Sequence, residues 1–476
     1  MVDRVLVPFE GDGSGVDDLS WGQHEIFRAM QRQQSWLPIG AAMPLAEGAS
    51  IEDVADRLRF IMSRYPTART RLRFDPDGPK QVVHSSGEAW LEIVDAPEGA
   101  DPARVAAEVE GRLRDAPYDF VADWPVRTAV IRQGGVPTHQ VTVLCHLVTD
   151  GGGAMVLLSE LAQRDPVTGA ARRPVTALTP LEQVHWQRSP SGRRTTEMAL
   201  RRWEGILRTI PARRFPGSAR PRRPRHWEGH FTSAAMHLAM PAITRRTRAD
   251  TSPVLLASFA MALARCTGIQ RVVLQVVVGN RFRAGLTESV SPVNQTGLCV
   301  LDVAGLSLDE AVAHTRRRTM AAYKYAYYDP RRMDELVARV GRERGEAVDI
   351  DCYFNDRRVD RPDRSTAPVA SPRELERALA ETEFRWDRRL DTPFEPMFLH
   401  VSDLPDRVVL TICGDTHYVA PDDMEAYVRQ MEAIVVAAAG DPDPAADPDA
   451  APNPAPGPDT PARPDRAGAR PAVVPA

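Results

Sequence analysis

Apolar residues recur at helical spacing along much of the chain. Residues 51–64 place four apolar side chains on one helical face, and Ser50 precedes them as a cap. Residues 102–115 repeat the arrangement, with Asp101 as the cap. The same signals predict four further helices, which begin at Ser252, at Ser307, at Ser371 and at about Pro421, the last of them ending at Gly440.

Runs rich in β-branched residues alternate with these helices. Five runs are predicted to be strands: residues 126–132, 139–146, 270–279, 296–303 and 407–414. This alternation indicates an α/β fold in which sheets are covered by helices. Two of the strands run into a polar loop that contains a histidine, VTVLCHLVTDG and VVLTICGDTHYV, which hints at two similarly built lobes.

The character of the chain changes at two places. An Arg/Pro-rich stretch, residues 196–225, predicts a connector between an N-terminal lobe (1–195) and a C-terminal lobe (226–439). The stretch starts as a solvated helix, although a surface for an acidic partner is an alternative. Residues 440–476 are rich in proline, alanine and aspartate and lack aromatic residues, so a disordered tail is predicted.

Composition argues against several classes of protein. The net charge is −4, which does not favour nucleic-acid binding. No apolar run is long enough to cross a bilayer and the first residues do not resemble a signal peptide, so a cytoplasmic protein is expected. The 5 cysteines are scattered without CxxC spacing, which argues against disulfides and a zinc site, and most of them lie in apolar runs and are expected to be buried thiols.

The stretch VTVLCHLVTDGGGAM, residues 141–155, places titratable groups and glycines where a predicted strand ends. His146 has three interpretations: a core histidine, a metal ligand together with Asp150, or a general base facing a cleft. A metal site would need further ligands nearby, and Cys145 would point to the opposite side of the strand. As a base, His146 would be anchored by the sheet, while the glycines would let a substrate approach the backbone.

Five motifs, in order, resemble those of the condensation-domain superfamily of nonribosomal peptide synthetases, which includes chloramphenicol-acetyltransferase-like acyltransferases. CHLVTDG, residues 145–151, is similar to the HHxxxDG motif of that superfamily. The other similar segments are LSWGQHEIF (19–27), RYPTARTRLRF (64–74), LEQVHWQ (181–187) and GNRFRAGLTESVSPVNQTG (279–297). The resemblance implies two chloramphenicol-acetyltransferase-like lobes, each a mixed sheet covered by helices, with a cleft or tunnel between them.

The sequence also departs from the pattern of the superfamily. Cys145 stands where the first histidine of HHxxxDG is usual. The Asp-Phe-Gly-Trp-Gly-like motif near the end is not recognisable, and CGDTHYVAPDD (413–423) stands in that region, so the latch between lobes is expected to differ. Neither an adenylation signature nor a carrier-protein serine motif is present, so a free-standing protein is expected.

The resemblance also implies roles for individual residues. His146 would act as the base or as a hydrogen-bonding positioner, while Asp150 would pair with Arg281 in a structural role. Cys145 would support the active-site loop, and no metal is expected. The backbone N–H groups of Gly151 and Gly152 are candidate donors to an oxyanion. Three further residues are possible cleft residues, each with a structural alternative: Asn294 as a turn residue, Trp186 as a lobe contact and His417 as a surface histidine.

The implied function is condensation in biosynthesis of the nonribosomal peptide type. An acyl thioester on the phosphopantetheine arm of a carrier protein would react with an amine to form an amide. One alternative is an ester-forming acyltransferase with a carrier- or CoA-bound donor, and another is a non-catalytic docking module. The expected partners are an acyl or peptidyl carrier protein and a small amine or alcohol, without nucleic acid or membrane. The chain is expected to bind no cofactor itself and to be a monomer.

Overall fold

The computed structural model describes residues 3–165, 167–215, 217–358 and 363–440. Beyond its first residue, the predicted tail (440–476) lies outside the described residues. Within the described ranges, no helix has both the length and the apolar composition that crossing a bilayer requires.

The described residues form fifteen strands and twelve α-helices. The strands are β1 (Asp3–Glu10), β2 (Gly15–Asp18), β3 (Ile39–Pro44), β4 (Thr70–Asp75), β5 (Gly78–Val83), β6 (Ser86–Asp95), β7 (Val126–Gln133), β8 (Val136–Leu144), β9 (His226–Ser233), β10 (Arg271–Val278), β11 (Gln295–Asp302), β12 (Cys352–Asp356), β13 (Glu383–Leu390), β14 (Met397–Leu404) and β15 (Arg407–Asp415). The helices are α1 (Trp21–Gln33), α2 (Ile51–Arg64), α3 (Pro102–Asp115), α4 (Gly151–Ala162), α5 (Pro180–Arg188), α6 (Pro190–Leu207), α7 (Ala234–Thr247), α8 (Thr251–Thr267), α9 (Leu308–Lys324), α10 (Pro330–Arg344), α11 (Pro372–Leu379) and α12 (Pro421–Ala439).

The helix starts predicted from capping residues are confirmed with one shift. Ser50, Ser307 and Ser371 each cap a helix through a complete capping box. The helix predicted to begin at Ser252 begins one residue earlier, because Asp250 is its cap. The five predicted strands are present as β7, β8, β10, β11 and β15. Strand β13 is not predicted from the sequence, because most of its residues are charged and exposed.

The N-terminal lobe is built on a five-stranded sheet in the order β1-β6-β7-β8-β3. Successive residues of β7 point to opposite faces, so Val130 and Ile131 enter different cores. Helix α2 covers the first face through Leu58, and α3 covers the second through Val109. Strands β2, β5 and β4 form a separate three-stranded sheet in this lobe.

The C-terminal lobe is built on a seven-stranded sheet in the order β11-β10-β12-β14-β15-β9-β13. One face of this sheet packs under α7, α8 and α12, which bury one alternate set of strand residues: Phe231, Leu410, Leu399 and Phe354. The two large sheets define two lobes of mixed α/β structure, which confirms the predicted architecture. Only one face of the C-terminal sheet is thus fully covered by the helices of its own lobe.

The predicted boundary between residues 195 and 196 falls inside helix α6. Trp203 and Leu207 on this helix are buried in a cluster that also contains Leu336 and Val340 of α10. The chain is therefore helical and packed up to residue 207, because α6 presents an apolar face between its arginines.

Candidate functional site

His146 lies in a tight turn directly after β8. The turn is closed by a hydrogen bond from the Val148 amide to the Cys145 carbonyl, and the Cys145 amide donates to the carbonyl of Pro125. The three glycines that follow do not form a loose loop. They begin helix α4, because the Asp150 side chain caps its first turn.

The imidazole of His146 is held in one orientation. Its Nδ1 lies 2.8 Å from the carbonyl oxygen of Thr149, so Nδ1 carries the proton and donates to that oxygen. In the described part of the chain Nε2 has no hydrogen-bond partner, and the residue keeps some accessible surface. Burial lowers the pKa of His146 below its usual 6.5. The ring is therefore neutral at pH 7, with the Nε2 lone pair available to accept a proton.

Asp150 is fully buried and joins the two lobes. Its Oδ1 accepts from the Gly153 amide at 2.9 Å, and its Oδ2 accepts from the Val293 amide at 2.9 Å. The expected pair with Arg281 is present, with Nη2 of the arginine 2.6 Å from Oδ1. A carboxylate with these partners has no position from which to face a substrate, so its contacts favour a structural role.

Close approach of the C-terminal lobe explains two of the three glycines. A Cβ at Gly152 would lie 2.7 Å from Nη1 of Arg281, and a Cβ at Gly153 would lie 2.2 Å from the carbonyl oxygen of Val290. At Gly151 a Cβ would meet nothing within 4 Å, so this residue borders open space. The amides of Gly151 and Gly152 belong to the first turn of α4 and have no partner among the described hydrogen bonds.

Cys145 faces away from the site. It is fully buried in the core that α3 covers, and its Sγ lies 3.8 Å from the carbonyl oxygen of Trp36. Burial raises the pKa of this thiol to about 12, so it remains protonated and unreactive. The replacement of a histidine at this position thus alters the packing behind the loop rather than the face that carries His146.

The possible cleft residues lie in three different places. Trp186 packs edge-on against Trp21, with ring centroids 6.1 Å apart, and contacts Tyr327, so it is a contact between the lobes. Asn294 is half-buried beside the end of β10, where its Oδ1 lies 3.7 Å from the Cβ position of Gly279. His417 is exposed in the turn after β15, and its amide donates to Asp415.

In the region of residues 413–423, Asp415 does not pair with any described residue of the N-terminal lobe. It forms a bidentate ion pair with Arg225, at the end of the predicted connector, with a shortest contact of 2.6 Å. Arg32 on α1 instead contacts Glu395, just before β14, at 2.8 Å. This ion pair connects α1 to the sheet face that the helices of the C-terminal lobe leave uncovered.

That sheet face carries a row of polar residues. His230, Thr411, His400 and Asn355 are paired directly opposite one another on β9, β15, β14 and β12, so their side chains share one face. They alternate with the residues buried under α7, α8 and α12, and the row therefore points away from those helices. We call this row the polar wall.

Arg357 extends the polar wall toward His146. It follows Asn355 by two residues, and its Nη2 lies 3.0 Å from Nε2 of His400. Its positive charge contributes to lowering the pKa of His146, so the two groups lie near each other. Sequence reasoning missed Arg357 and His400, although the alternation of polar and apolar residues in strands such as β9 is a signal of a half-covered sheet.

Comparison with known proteins identifies the family. The family model named "Condensation domain" matches residues 22–374. The chain is 26% identical over 289 residues to cyclosporin synthetase simA of Tolypocladium inflatum, a match that covers 58% of this chain and 2% of that protein. The chain thus spans only a small fraction of the length of such curated relatives.

Solved structures of low sequence identity share the fold. One similar structure is that of a condensation domain that mediates chain release from the enacyloxin polyketide synthase. It superposes on this chain with a TM-score of 0.65 at 15% identity, over 90% of this chain and 83% of that one. The X-domain from teicoplanin biosynthesis gives a TM-score of 0.66 at 16% identity, over 90% and 95% of the two chains. With the family match over most of its described length, this chain belongs to the condensation-domain family.

Proposed function

We propose that the protein joins an acyl thioester, carried on the phosphopantetheine arm of a carrier protein, to an amine and releases an amide. The observation that carries the proposal is the neutral His146 ring, which keeps some accessible surface and whose Nε2 has no described partner, while Nδ1 is fixed by Thr149. A base held in one tautomer beside accessible space is what removal of a proton from an attacking amine requires.

The reaction proceeds by addition and elimination at the thioester carbonyl. The amine lone pair attacks the carbonyl carbon, and the carbonyl π electrons move to its oxygen. His146 Nε2 accepts the proton that the nitrogen loses. The C–S bond then breaks as the carbonyl re-forms, and the thiolate leaves with the proton that the imidazolium returns. His146 ends the cycle neutral, and general-base assistance of this kind contributes roughly 10²- to 10⁴-fold to the rate.

The first turn of α4 supplies donors for the charge that develops on the carbonyl oxygen. The amides of Gly151 and Gly152 lie at a helix N-terminus, where the peptide dipoles favour negative charge. A tetrahedral oxyanion at this turn would accept from amides that no described group engages. Asp150 contributes by holding this turn against the C-terminal lobe rather than by contact with the substrate.

The donor is proposed to be a carrier-bound acyl group, and the protein to act as a free-standing partner of that carrier. No cofactor of its own enters the chemistry, because the thioester is already activated and positioning can supply much of the rate. The same base would serve a hydroxyl nucleophile, so ester formation from a carrier- or CoA-bound acyl group is the alternative reaction.

Acyl-loaded carrier proteins offered with a panel of amines and alcohols, and analysed by mass spectrometry, test this proposal. Amide product is expected with the wild-type protein and not with His146→Ala. His185→Ala is the matched control, because His185 is an exposed histidine on α5. Ester product alone would replace the amide assignment by the alternative. Stable binding of the carrier protein without product from any acceptor would favour a docking module instead.

A further inference from the structure

Arg357 is a cation that the proposed reaction does not use. Residues 353, 355 and 357 alternate with the buried Phe354, so the Arg357 side chain lies on the same face as the polar wall, beside His400. The residue is exposed to solvent although other groups surround its guanidinium closely enough for burial to lower its pKa. An arginine that keeps exposed surface can be reached by a small molecule from solution.

The hydrogen-bond partner of Arg357 does not neutralise its charge. His400 is buried, and burial together with the charge of Arg357 lowers the pKa of His400 well below 6.5. The ring is therefore neutral, and its Nε2 accepts from Arg357 at 3.0 Å. His400 orients the guanidinium and leaves its positive charge uncompensated.

The acidic side chain in the neighbourhood of Arg357 is engaged elsewhere. Glu228 raises the pKa of Arg357 against the larger, opposing effect of burial, but its Oε1 lies 3.3 Å from Nε2 of His230 and its Oε2 lies 3.6 Å from Sγ of Cys413. Among the described residues no carboxylate pairs with Arg357, whereas the next residue, Arg358, pairs with Asp356 at 2.8 Å. A partly surrounded guanidinium that no described carboxylate pairs with can bind an anion from solution.

We propose that Arg357 binds a carboxylate of the acceptor, so that the acceptor is an amine bearing a free carboxylate, of the amino-acid class. This inference rests on the proposed function. The nucleophilic nitrogen must reach His146, whose pKa responds to the nearby charge of Arg357, and an amino acid carries its anionic group only a few bonds from that nitrogen. A bidentate arginine–carboxylate contact would also fix the orientation of the attacking amine.

Other anions of the reaction fit this position less well. The oxyanion of the tetrahedral intermediate already has the unpaired amides at the start of α4. The phosphate of a phosphopantetheine arm lies at the opposite end of the arm from the thioester, and therefore away from the base. The acceptor carboxylate is the remaining anion whose chemistry places it beside the reacting atoms.

A comparison of acids with their amides tests the inference. The wild-type protein, Arg357→Gln, Arg357→Lys and the control Arg316→Gln are supplied with an acyl-loaded carrier protein. The acceptors are a pool of the proteinogenic amino acids and, separately, a pool of the matching amino-acid amides. Arg316 is a suitable control because it is an exposed arginine on α9. Thermal melts of all four proteins establish that they fold.

Wild-type protein is expected to prefer at least one acid over its amide. For that acid, Arg357→Gln should lower kcat/KM roughly 10- to 100-fold, as expected for loss of a hydrogen bond to a charged group, and change kcat/KM for the amide less than about 3-fold. Arg357→Lys should retain part of the preference, and Arg316→Gln all of it. An equal loss for acid and amide, or a wild-type protein that does not prefer any acid, would overturn the inference.

Binding separates failure of this inference from failure of the proposed function. Isothermal titration of wild type and Arg357→Gln with the preferred acid, or with glycine and L-phenylalanine if no acid reacts, measures the site without turnover. Binding that Arg357→Gln weakens at least 10-fold, in a protein that forms no product, would refute condensation and retain the carboxylate site. Equal binding by both proteins would refute the carboxylate site whatever the turnover.

Discussion

Arg281 Nη2 lies 2.6 Å from Oδ1 of Asp150, and this ion pair connects the two lobes four residues beyond His146. Arg281 also donates to the carbonyl oxygen of Ser289 at 2.9 Å, so the pair extends into the loop that precedes β11. The position of His146 relative to the C-terminal lobe thus depends on the fully buried carboxylate of Asp150.

Removal of the Asp150 carboxylate should damage folding more than chemistry. Asp150→Ala leaves two backbone amides and the Arg281 guanidinium without their acceptor and should lower the free energy of unfolding by about 3 kcal/mol. Urea denaturation measures this, with Asp75→Ala as control, because Asp75 forms an exposed pair with Arg73. A variant of wild-type stability that lacks activity would instead assign Asp150 to the chemistry.

Removal of the His146 imidazole should leave the fold intact. His146→Ala loses one hydrogen bond to a backbone carbonyl, so its melting temperature should stay near that of the wild type. The condensation rate should fall roughly 10²- to 10⁴-fold, because the proton acceptor is lost. Retention of more than a tenth of the wild-type rate would show that His146 is not the base.

The pH dependence of the reaction should follow the lowered pKa of His146. Only the neutral ring accepts a proton, so kcat/KM should rise with pH through a value below 6.5 and be constant at neutral pH. The profile is measured with an acceptor and donor whose own groups do not titrate in this range. A half-maximum above pH 7 would contradict the assignment, because it would require a raised pKa.

The stability of the protein should decrease in mild acid because His24 is buried. Burial, reinforced by the charge of Arg331, lowers the pKa of His24 to about 4. The unfolded chain binds a proton below pH 6.5 and the folded chain does not, so this contribution to stability is present above pH 6.5 and is lost as the pH falls from there toward 4. At pH 5.5 the free energy of unfolding should have dropped by about 1 kcal/mol more in wild type than in His24→Gln, both measured relative to pH 7.5. An identical drop in both proteins would remove His24 as the cause.

Gly151 and Gly153 at the start of α4 should differ sharply in their tolerance of a methyl group. Gly151→Ala should be neutral or slightly stabilising, because its Cβ enters open space and alanine favours a helix. Gly153→Ala should lower the free energy of unfolding by about 2 kcal/mol or more, because the carbonyl of Val290 would have to move. Thermal melts of the two variants check the order, and equal stability would contradict the described approach of the lobes.

The sequence by itself determined many of the helices and strands and the location of His146, the proposed base. Capping residues such as Ser307 act on amides within their own turn, and strands such as β8 are marked by β-branched runs, so both are visible over a few residues. The segment containing His146 and Asp150 is contiguous, and its resemblance to a known motif indicated the family and the partner Arg281. These features are local or are matched in order along the chain.

Only the tertiary structure decided what faces His146 and how the glycines are used. Asp150 starts a helix at a glycine run that by itself favours a loose loop, because its side chain caps the Gly153 amide, and contacts in the distant C-terminal lobe hold that side chain in place. Arg357 and His400 lie 43 positions apart and meet only through strand pairing, and nothing near His146 indicates either of them. The register of the strands and the approach of the lobes place these charges, and both arise from packing across hundreds of residues rather than from any local pattern.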